Sequence, residues 1–383
     1  MEKKKVLLIS LSAGSGHVRA AAALKNEAFL NYPELAVEHI EMTDYVNRSL
    51  KKTIIKSYDL MAQKIPELYG FFYKKTDTPK ISKYVKRISN FFNQFNCGKF
   101  FKYIKDYNPD YILCTHFLPV YALLSLQKKN HLKAQISLLT TDYYSHDLQI
   151  IKNIDHYFVS HEKISYHLTE SGIKPSHITI SGVPVDPIFY QAKSLEELKK
   201  SYQLTPEKFN ILLLSGGKGL VDIGNIIKTL LNYKKPLHII AITGRNKKLE
   251  EKLNKLTVTA PMSFQIIGWT DKIDEYMRIA DVIISKPGGL TTTECIVLSK
   301  PLIAISPIPG QEEYNARFIL EDQFGVVAQN TSDLIYYLDK FDIWSKNITN
   351  KKPPQAAKII LNKLKEDFRA HLKNNFESIS RRF

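Results

Sequence analysis

The sequence predicts an α/β protein built from two Rossmann-like domains. Three observations carry that reading. At 383 residues the chain is too long for one ordinary core and about right for two. It starts twice with the same plan, an apolar run ending in a small glycine-rich turn. Between and after these starts, short fully apolar runs alternate with helix-compatible stretches, the pattern of parallel sheets covered on both faces.

The first start is Lys5-Val-Leu-Leu-Ile-Ser-Leu-Ser-Ala-Gly-Ser-Gly16, followed by the helix-compatible Arg19–Leu24. It resembles a signal peptide only superficially: the apolar stretch is short and runs straight into glycines, so it reads as a first strand. Further strands follow at Tyr111–Cys114, Gln135–Leu139, His156–Val159 and Ile178–Ile180. Gly182-Val-Pro-Val-Asp-Pro187 reads as a hinge, and a charged helical stretch after it runs to Tyr202. The second start is Asn210-Ile-Leu-Leu-Leu-Ser-Gly-Gly-Lys-Gly219, with a helix over Ile223–Leu231. Strands at Leu237–Ile242, Phe264–Ile267, Val282–Ile284 and Leu302–Ile305 complete it. Pro353-Pro354 marks a second break before an amphipathic helix through Leu361, Leu364 and Phe368. The expected domains are therefore 1–187 and 203–350, with the helix at about 355–383 packing back on the first. Ligands are expected at the carboxyl ends of both sets of strands.

Composition narrows the class. An apolar fraction of 44% with 24% charged residues is the balance of a soluble globular protein. No apolar run of about eighteen residues appears, which excludes a transmembrane helix. Cys97, Cys114 and Cys295 are widely separated and lack metal-ligand spacing, which fits reduced thiols in the cytoplasm. The net charge of +16 is localised. From Arg48 to Lys105 there are fourteen Lys or Arg against three acids, and from Lys351 to Phe383 nine against three, so the remainder is near neutral. Twelve aromatics are interleaved with the first basic segment. Cations that attract anionic headgroups, beside aromatics suited to the interface, are what a peripheral membrane site needs. Basic-aromatic patches also bind single-stranded nucleic acid, but no nucleic-acid module accompanies this one.

Three motifs lie after strands. Gly14-Ser-Gly-His17 is not a dinucleotide fingerprint, because Arg19 stands where a small residue is required. It leaves a histidine at the mouth of a sheet near a helix N-terminus, either a loop cap or a group suited to proton abstraction near neutrality. Ser285-Lys-Pro-Gly-Gly-Leu-Thr-Thr-Thr-Glu294 offers glycine N–H groups to a pyrophosphate and a helix expected to start near Thr291. Glu294, placed in its first turn, suits ribose hydroxyls, although Thr291-x-x-Glu294 is also a capping box. Pro309-Gly-Gln-Glu-Glu-Tyr-Asn315 supplies Gln311 and Glu312 as donor and acceptor for sugar hydroxyls, or as a solvated helix start. No two aspartates are separated by a single residue, so an Asp-x-Asp metal site is missing.

The ordered set of motifs resembles the monogalactosyldiacylglycerol synthase and processive diacylglycerol glucosyltransferase family, glycosyltransferase family 28, and more remotely MurG. Gly14-Ser-Gly-His17, Thr141-Asp-Tyr143, Gly182-Val-Pro184, Lys286-Pro-Gly-Gly-Leu-Thr291, Glu294 and Pro309-Gly-Gln-Glu312 match in order over nearly the whole chain. The resemblance implies a GT-B fold and inverting, metal-independent transfer from a UDP-hexose to diacylglycerol, with no cofactor. It makes His17 the candidate base, with Asp142 an orienting or auxiliary carboxylate. It assigns Gly16, Ser215, Gly216, Gly217, Arg245, Gly268, Ile273, Gly288, Gly289, Leu290, Thr291, Glu294, Gln311 and Glu312 to the donor. Tyr58, Phe71, Phe72, Lys83, Lys86, Arg87, Phe91 and Phe92 become acceptor and membrane contacts on the inner face of the cell membrane. The sequence departs from the pattern at Ser215-Gly-Gly-Lys218, where bacterial diacylglycerol glucosyltransferases tend to carry Ala-Gly-Ala-His, so donor preference does not carry over. Two other functions share these motifs: transfer or epimerisation on a different lipid-linked or soluble substrate, and UDP-sugar binding at a membrane without turnover.

Overall fold

The computed structural model describes residues 3–12, 14–48, 51–52, 97–128, 132–216, 223–256, 261–348 and 353–380, with side chains up to 368. The described chain divides into two compact units, crossing from the first to the second at Pro187/Ile188 and returning to the first at Pro353.

The first unit is a six-stranded parallel sheet in the order β2-β1-β3-β4-β5-β6. Its strands are β1 (Lys4–Ser10), β2 (Leu35–Glu41), β3 (Tyr111–Cys114), β4 (Gln135–Leu139), β5 (His156–Val159) and β6 (Ile178–Ile180). Its helices are α1 (Ser15–Asn31), α2 (Gly98–Tyr107), α3 (Phe117–Gln127), α4 (Glu162–Glu170) and, after the return, α13 (Ala356–Ser380). Successive residues of a strand face opposite sides, and β1 is apolar on both. Val6 and Leu8 pack with Ala21 and Leu24 of α1 and with Ile360, Leu361 and Leu364 of α13. Leu7 and Ile9 pack on the other face with Ile104, Val120 and Leu123 of α2 and α3. Ile360, Leu361 and Leu364 are fully buried, each stabilising the docking of α13 by about 1.5–3 kcal/mol. Polar contacts fix the register of that helix: Tyr32 Oη donates to Asn362 Oδ1 at 3.1 Å and Lys365 pairs with Glu34 at 2.5 Å.

The second unit is a parallel sheet in the order β12-β11-β10-β7-β8-β9. Its strands are β7 (Phe209–Leu214), β8 (Leu237–Ile242), β9 (Ser263–Ile267), β10 (Val282–Ser285), β11 (Leu302–Ile305) and β12 (Gly325–Ala328). Helices α5 (Leu195–Ser201), α6 (Ile223–Leu231), α7 (Lys247–Leu253), α8 (Ile273–Ile279), α9 (Gly289–Val297), α10 (Gln311–Glu321), α11 (Thr331–Asp339) and α12 (Phe341–Trp344) cover it. The segment entering this unit is tied to α8. An Arg278 guanidinium nitrogen donates to the carbonyls of Phe189 and Gln191, both at 2.9 Å, and Lys193 pairs with buried Asp274 at 2.7 Å. Among the described residues no helix is long and apolar enough to cross a membrane.

In each unit two neighbouring strands mark the point where the winding of the sheet reverses, β1/β3 in the first and β7/β10 in the second. A crevice opens at such a point outside the carboxyl ends of the strands, and ligands bind there.

Candidate active site

In the first unit the reversal point is occupied by His17. Gly14 takes φ 141° and ψ 161° to turn the chain from β1 into α1, which places His17 in the first helical turn. The next strand supplies its partner. His17 Nδ1 lies 2.6 Å from the Thr115 carbonyl oxygen, just past the end of β3, and Thr115 Oγ1 donates back to the His17 carbonyl at 3.0 Å. A carbonyl only accepts, so Nδ1 carries the proton, and in the neutral imidazole Nε2 is left as the base. Thr141 Oγ1, at the end of β4, sits 2.9 Å from the same Nδ1. Burial lowers the His17 pKa below the usual imidazole value; the Asp142 charge and the Thr115 carbonyl act in the opposite direction. The helix N-terminus also disfavours the imidazolium. Asp142 is itself buried at 9% exposure, and its backbone carbonyl accepts from Ser160 Oγ at 2.5 Å.

A second histidine, which the motif reading did not single out, touches the first. The ring of His116 meets that of His17 nearly at right angles with centroids 4.8 Å apart. Its Nδ1 accepts from the Leu118 N–H at 3.1 Å, capping α3, and its face stacks on Phe117 at 4.5 Å. Burial, then the neighbouring His17, push the His116 pKa well below the usual value, so this ring is neutral. The sequence marks it only by its place two residues beyond an apolar strand, which does not distinguish it from other loop residues.

In the second unit the reversal point gathers the donor candidates. Ser215 and Gly216 follow β7, and Gly216 takes φ +75°. Ser215 is fully buried, and its N–H and hydroxyl bond to the Ile242 carbonyl at 3.2 and 3.1 Å, which ties this turn to β8. After β10 the chain passes through Lys286 and Gly288 into α9. A side chain on Gly288 would meet nothing within 4 Å, and the same holds for Gly16 in the first unit. The helix begins at Gly289 with Gly288 as its N-cap and no side-chain cap, two residues earlier than Thr291. Thr291 therefore does not cap the helix, and Glu294, buried at 1% exposure, stands in its second turn and not its first. Leu290 is buried and Thr291 half-buried on the same first turn. Glu312, in the first turn of α10, is held from two sides: Lys286 Nζ pairs with Oε1 at 2.8 Å and the Ile308 N–H donates to Oε2 at 2.9 Å. Gln311 opens α10, with Gly310 before it at φ 88°. At the other end of the sheet Arg245 is exposed past β8, Gly268 follows β9 under the Glu250 carboxylate, and Ile273 opens α8, half-buried. Gly217 lies outside the described residues, as do Tyr58, Phe71, Phe72, Lys83, Lys86, Arg87, Phe91 and Phe92.

Comparison with known proteins agrees with both halves. Residues 17–185 match the family model of monogalactosyldiacylglycerol (MGDG) synthase, and residues 210–353 match the glycosyltransferase family 28 C-terminal domain. The chain is similar to the processive diacylglycerol beta-glucosyltransferase of Bacillus licheniformis, 26% identical over 369 residues covering 94% of each chain. Among solved structures it shares its fold with Acinetobacter baumannii MurG, TM-score 0.59 at 11% identity, covering 95% of this chain and 99% of that one. It shares it equally with UDP-GlcNAc 2-epimerase from Neisseria meningitidis bound to UDP-GlcNAc, TM-score 0.60 at 13% identity, covering 94% and 100%. Two six-stranded parallel sheets of this kind are the GT-B fold. The two family models follow one another along most of the sequence, and the chain belongs to the monogalactosyldiacylglycerol synthase and processive diacylglycerol glucosyltransferase family of glycosyltransferases, family 28.

Proposed function

We propose that this protein transfers a hexose from a UDP-sugar to the hydroxyl of diacylglycerol at an anionic membrane surface, with inversion and without a metal ion. The single observation that carries the reading is the Thr115 carbonyl on His17 Nδ1, which makes Nε2 the base. A neutral imidazole at the mouth of a sheet suits removal of the acceptor proton as the hydroxyl attacks the anomeric carbon from the face opposite the leaving UDP. Asp142 steadies the imidazolium that forms. In the second unit, Ser215, Gly216 and Gly288–Thr291 hold the donor pyrophosphate, with the N-terminus of α9 directed at it. Glu294 takes the ribose, Gln311 and Glu312 the hexose, and Arg245, Gly268 and Ile273 the uridine side. With no Asp-x-Asp pair in the sequence, the charge on departing UDP falls to that helix end, to backbone amides and to Lys286. The basic aromatic segment from Arg48 to Lys105 docks the protein on the lipid surface that carries the acceptor. Diacylglycerol stands in the name of the similar Bacillus protein with a glucosyl group, and in the name of the family model matching the first half with a galactosyl group.

The test is incorporation of labelled hexose from UDP-glucose and UDP-galactose, separately, into anionic vesicles containing diacylglycerol, with EDTA present. Glycolipid from either donor establishes the reaction, the sugar and metal independence together. Absence of product from both, with UDP still bound, moves the search to another acceptor within the same fold. Rearranged UDP-sugar without vesicles identifies an epimerase.

A further inference from the structure

His116 is placed to do more than cap a helix. Its Nδ1 is committed to the Leu118 N–H, its face to Phe117, and its ring to the His17 imidazole at 4.8 Å. These three contacts leave the ring fixed in position. The His17 ring, by contrast, is anchored through one nitrogen only among its described bonds, with both partners, Thr115 O and Thr141 Oγ1, on Nδ1. An imidazole held at one nitrogen can still swing about that contact and about its own ring torsion, which is broad for histidine. A wall beside it removes that freedom. We propose that His116 is a positioning residue for the transfer reaction: its ring buttresses the His17 imidazole, so that Nδ1 stays on the Thr115 carbonyl and Nε2 is held in one direction toward the acceptor hydroxyl. Neutrality is part of the role, since a second cation beside the base would oppose its taking up a proton. The proposal rests on His17 being the base.

Two substitutions separate the ring from the cap. Asparagine at a helix N-cap accepts the same backbone N–H but has no ring, whereas phenylalanine restores a ring and cannot accept. His116→Asn should therefore melt within a few degrees of the parent protein while kcat falls between about tenfold and a hundredfold, the range for a misplaced catalytic group. Its KM for the UDP-hexose should stay within about twofold, because ground-state donor binding is not what the ring supports. His116→Phe should melt about 2–4 °C lower for each kcal/mol of lost cap and yet recover the larger share of kcat. The proposal is overturned by His116→Asn turning over at the parent rate, or by the two variants losing kcat in step with their loss of melting temperature. His17→Ala, measured alongside, tells the two levels apart. Collapse of kcat in His17→Ala without any in His116→Asn sinks the buttress alone. Turnover persisting in His17→Ala sinks the base assignment and the buttress with it.

Discussion

At the scale of single residues, His17 shows how bonds made elsewhere fit a side chain to the proposed role of base. Its proton sits on Nδ1 because a carbonyl 98 positions along the chain faces that nitrogen. Replacing His17 with Ala should lower kcat by about two to four orders of magnitude, the usual contribution of a general base. Donor KM should be nearly unmoved, as steady-state kinetics on vesicles will show. The pH dependence follows from the same environment. A base works when neutral, and burial lowers the His17 pKa, so the acid limb of kcat/KM should fall below the ordinary imidazole value of 6.5. Asp142 pulls in the other direction by stabilising the imidazolium. Asp142→Asn should thus shift the acid limb further down in pH while reducing the rate above it; a limb moving up would contradict the assigned sign. His17 was legible in the sequence as a candidate because the feature that places it, a glycine turn between an apolar run and a helix, is local. His116 was not, because its contact with His17 exists only once β3 lies beside β1, and nothing near position 116 records that pairing.

Elements were most legible where a short apolar run sits between turn signals, as it does in strands buried on both faces. Interior strands β3, β4, β5, β8 and β11 read as short, mostly apolar runs, and the structure puts them at the residues the sequence pointed to. Of the four edge strands, β6 was read at its own residues and β9 to within one residue, whereas β2 and β12 went unread. Leu35–Glu41 carries two glutamates and a histidine on a half-buried edge, and Gly325–Ala328 is four residues opening on glycine, so neither shows the two-face pattern. The start of α9 was misplaced for a related reason. Thr291 looked like a cap, whereas the helix starts from a glycine that needs no side chain to begin it. That difference makes a prediction. Gly288 has ordinary backbone angles, φ −69° and ψ 139°, and open space where a Cβ would point. Gly288→Ala should leave the melting temperature unchanged. It should also raise donor KM by about tenfold or more if that space belongs to a pyrophosphate held by charge-assisted bonds. Gly325 is the opposite case: a Cβ there would lie 2.2 Å from the Leu302 carbonyl oxygen across the β11–β12 ladder. Gly325→Ala should cost stability by about 1–3 kcal/mol, and more if the strand cannot shift, without a specific effect on donor affinity. Thermal melting and donor titration on the two variants separate a glycine kept for a ligand from a glycine kept for the fold.

At the scale of the whole molecule the governing quantity is charge. A net +16 concentrated in residues 48–105 and 351–383 leaves the remainder near neutral, so under the proposed docking an anionic surface would attract two stretches of the chain and not the protein at large. Most of the first stretch lies outside the described residues. Each basic residue near such a surface contributes about 1 kcal/mol, so even five or six engaged at once would hold the protein there. That attraction is screened as the Debye length shrinks from about 10 Å at 0.1 M salt to about 3 Å at 1 M. Burial of aromatic side chains in the interface is not screened in this way. Sedimentation with vesicles therefore distinguishes the two contributions. Binding should be strong to vesicles rich in anionic lipid, weak to neutral ones, and largely lost at 1 M salt. Neutralising Lys83, Lys86 and Arg87 together should weaken anionic-vesicle binding while turnover on detergent-dispersed diacylglycerol persists. Binding that survives high salt, or that ignores lipid charge, would transfer the docking from the lysines to the interleaved aromatics such as Phe71, Phe72, Phe91 and Phe92. The same triple substitution reducing turnover in detergent as much as on vesicles would place those cations at the acceptor instead of the membrane.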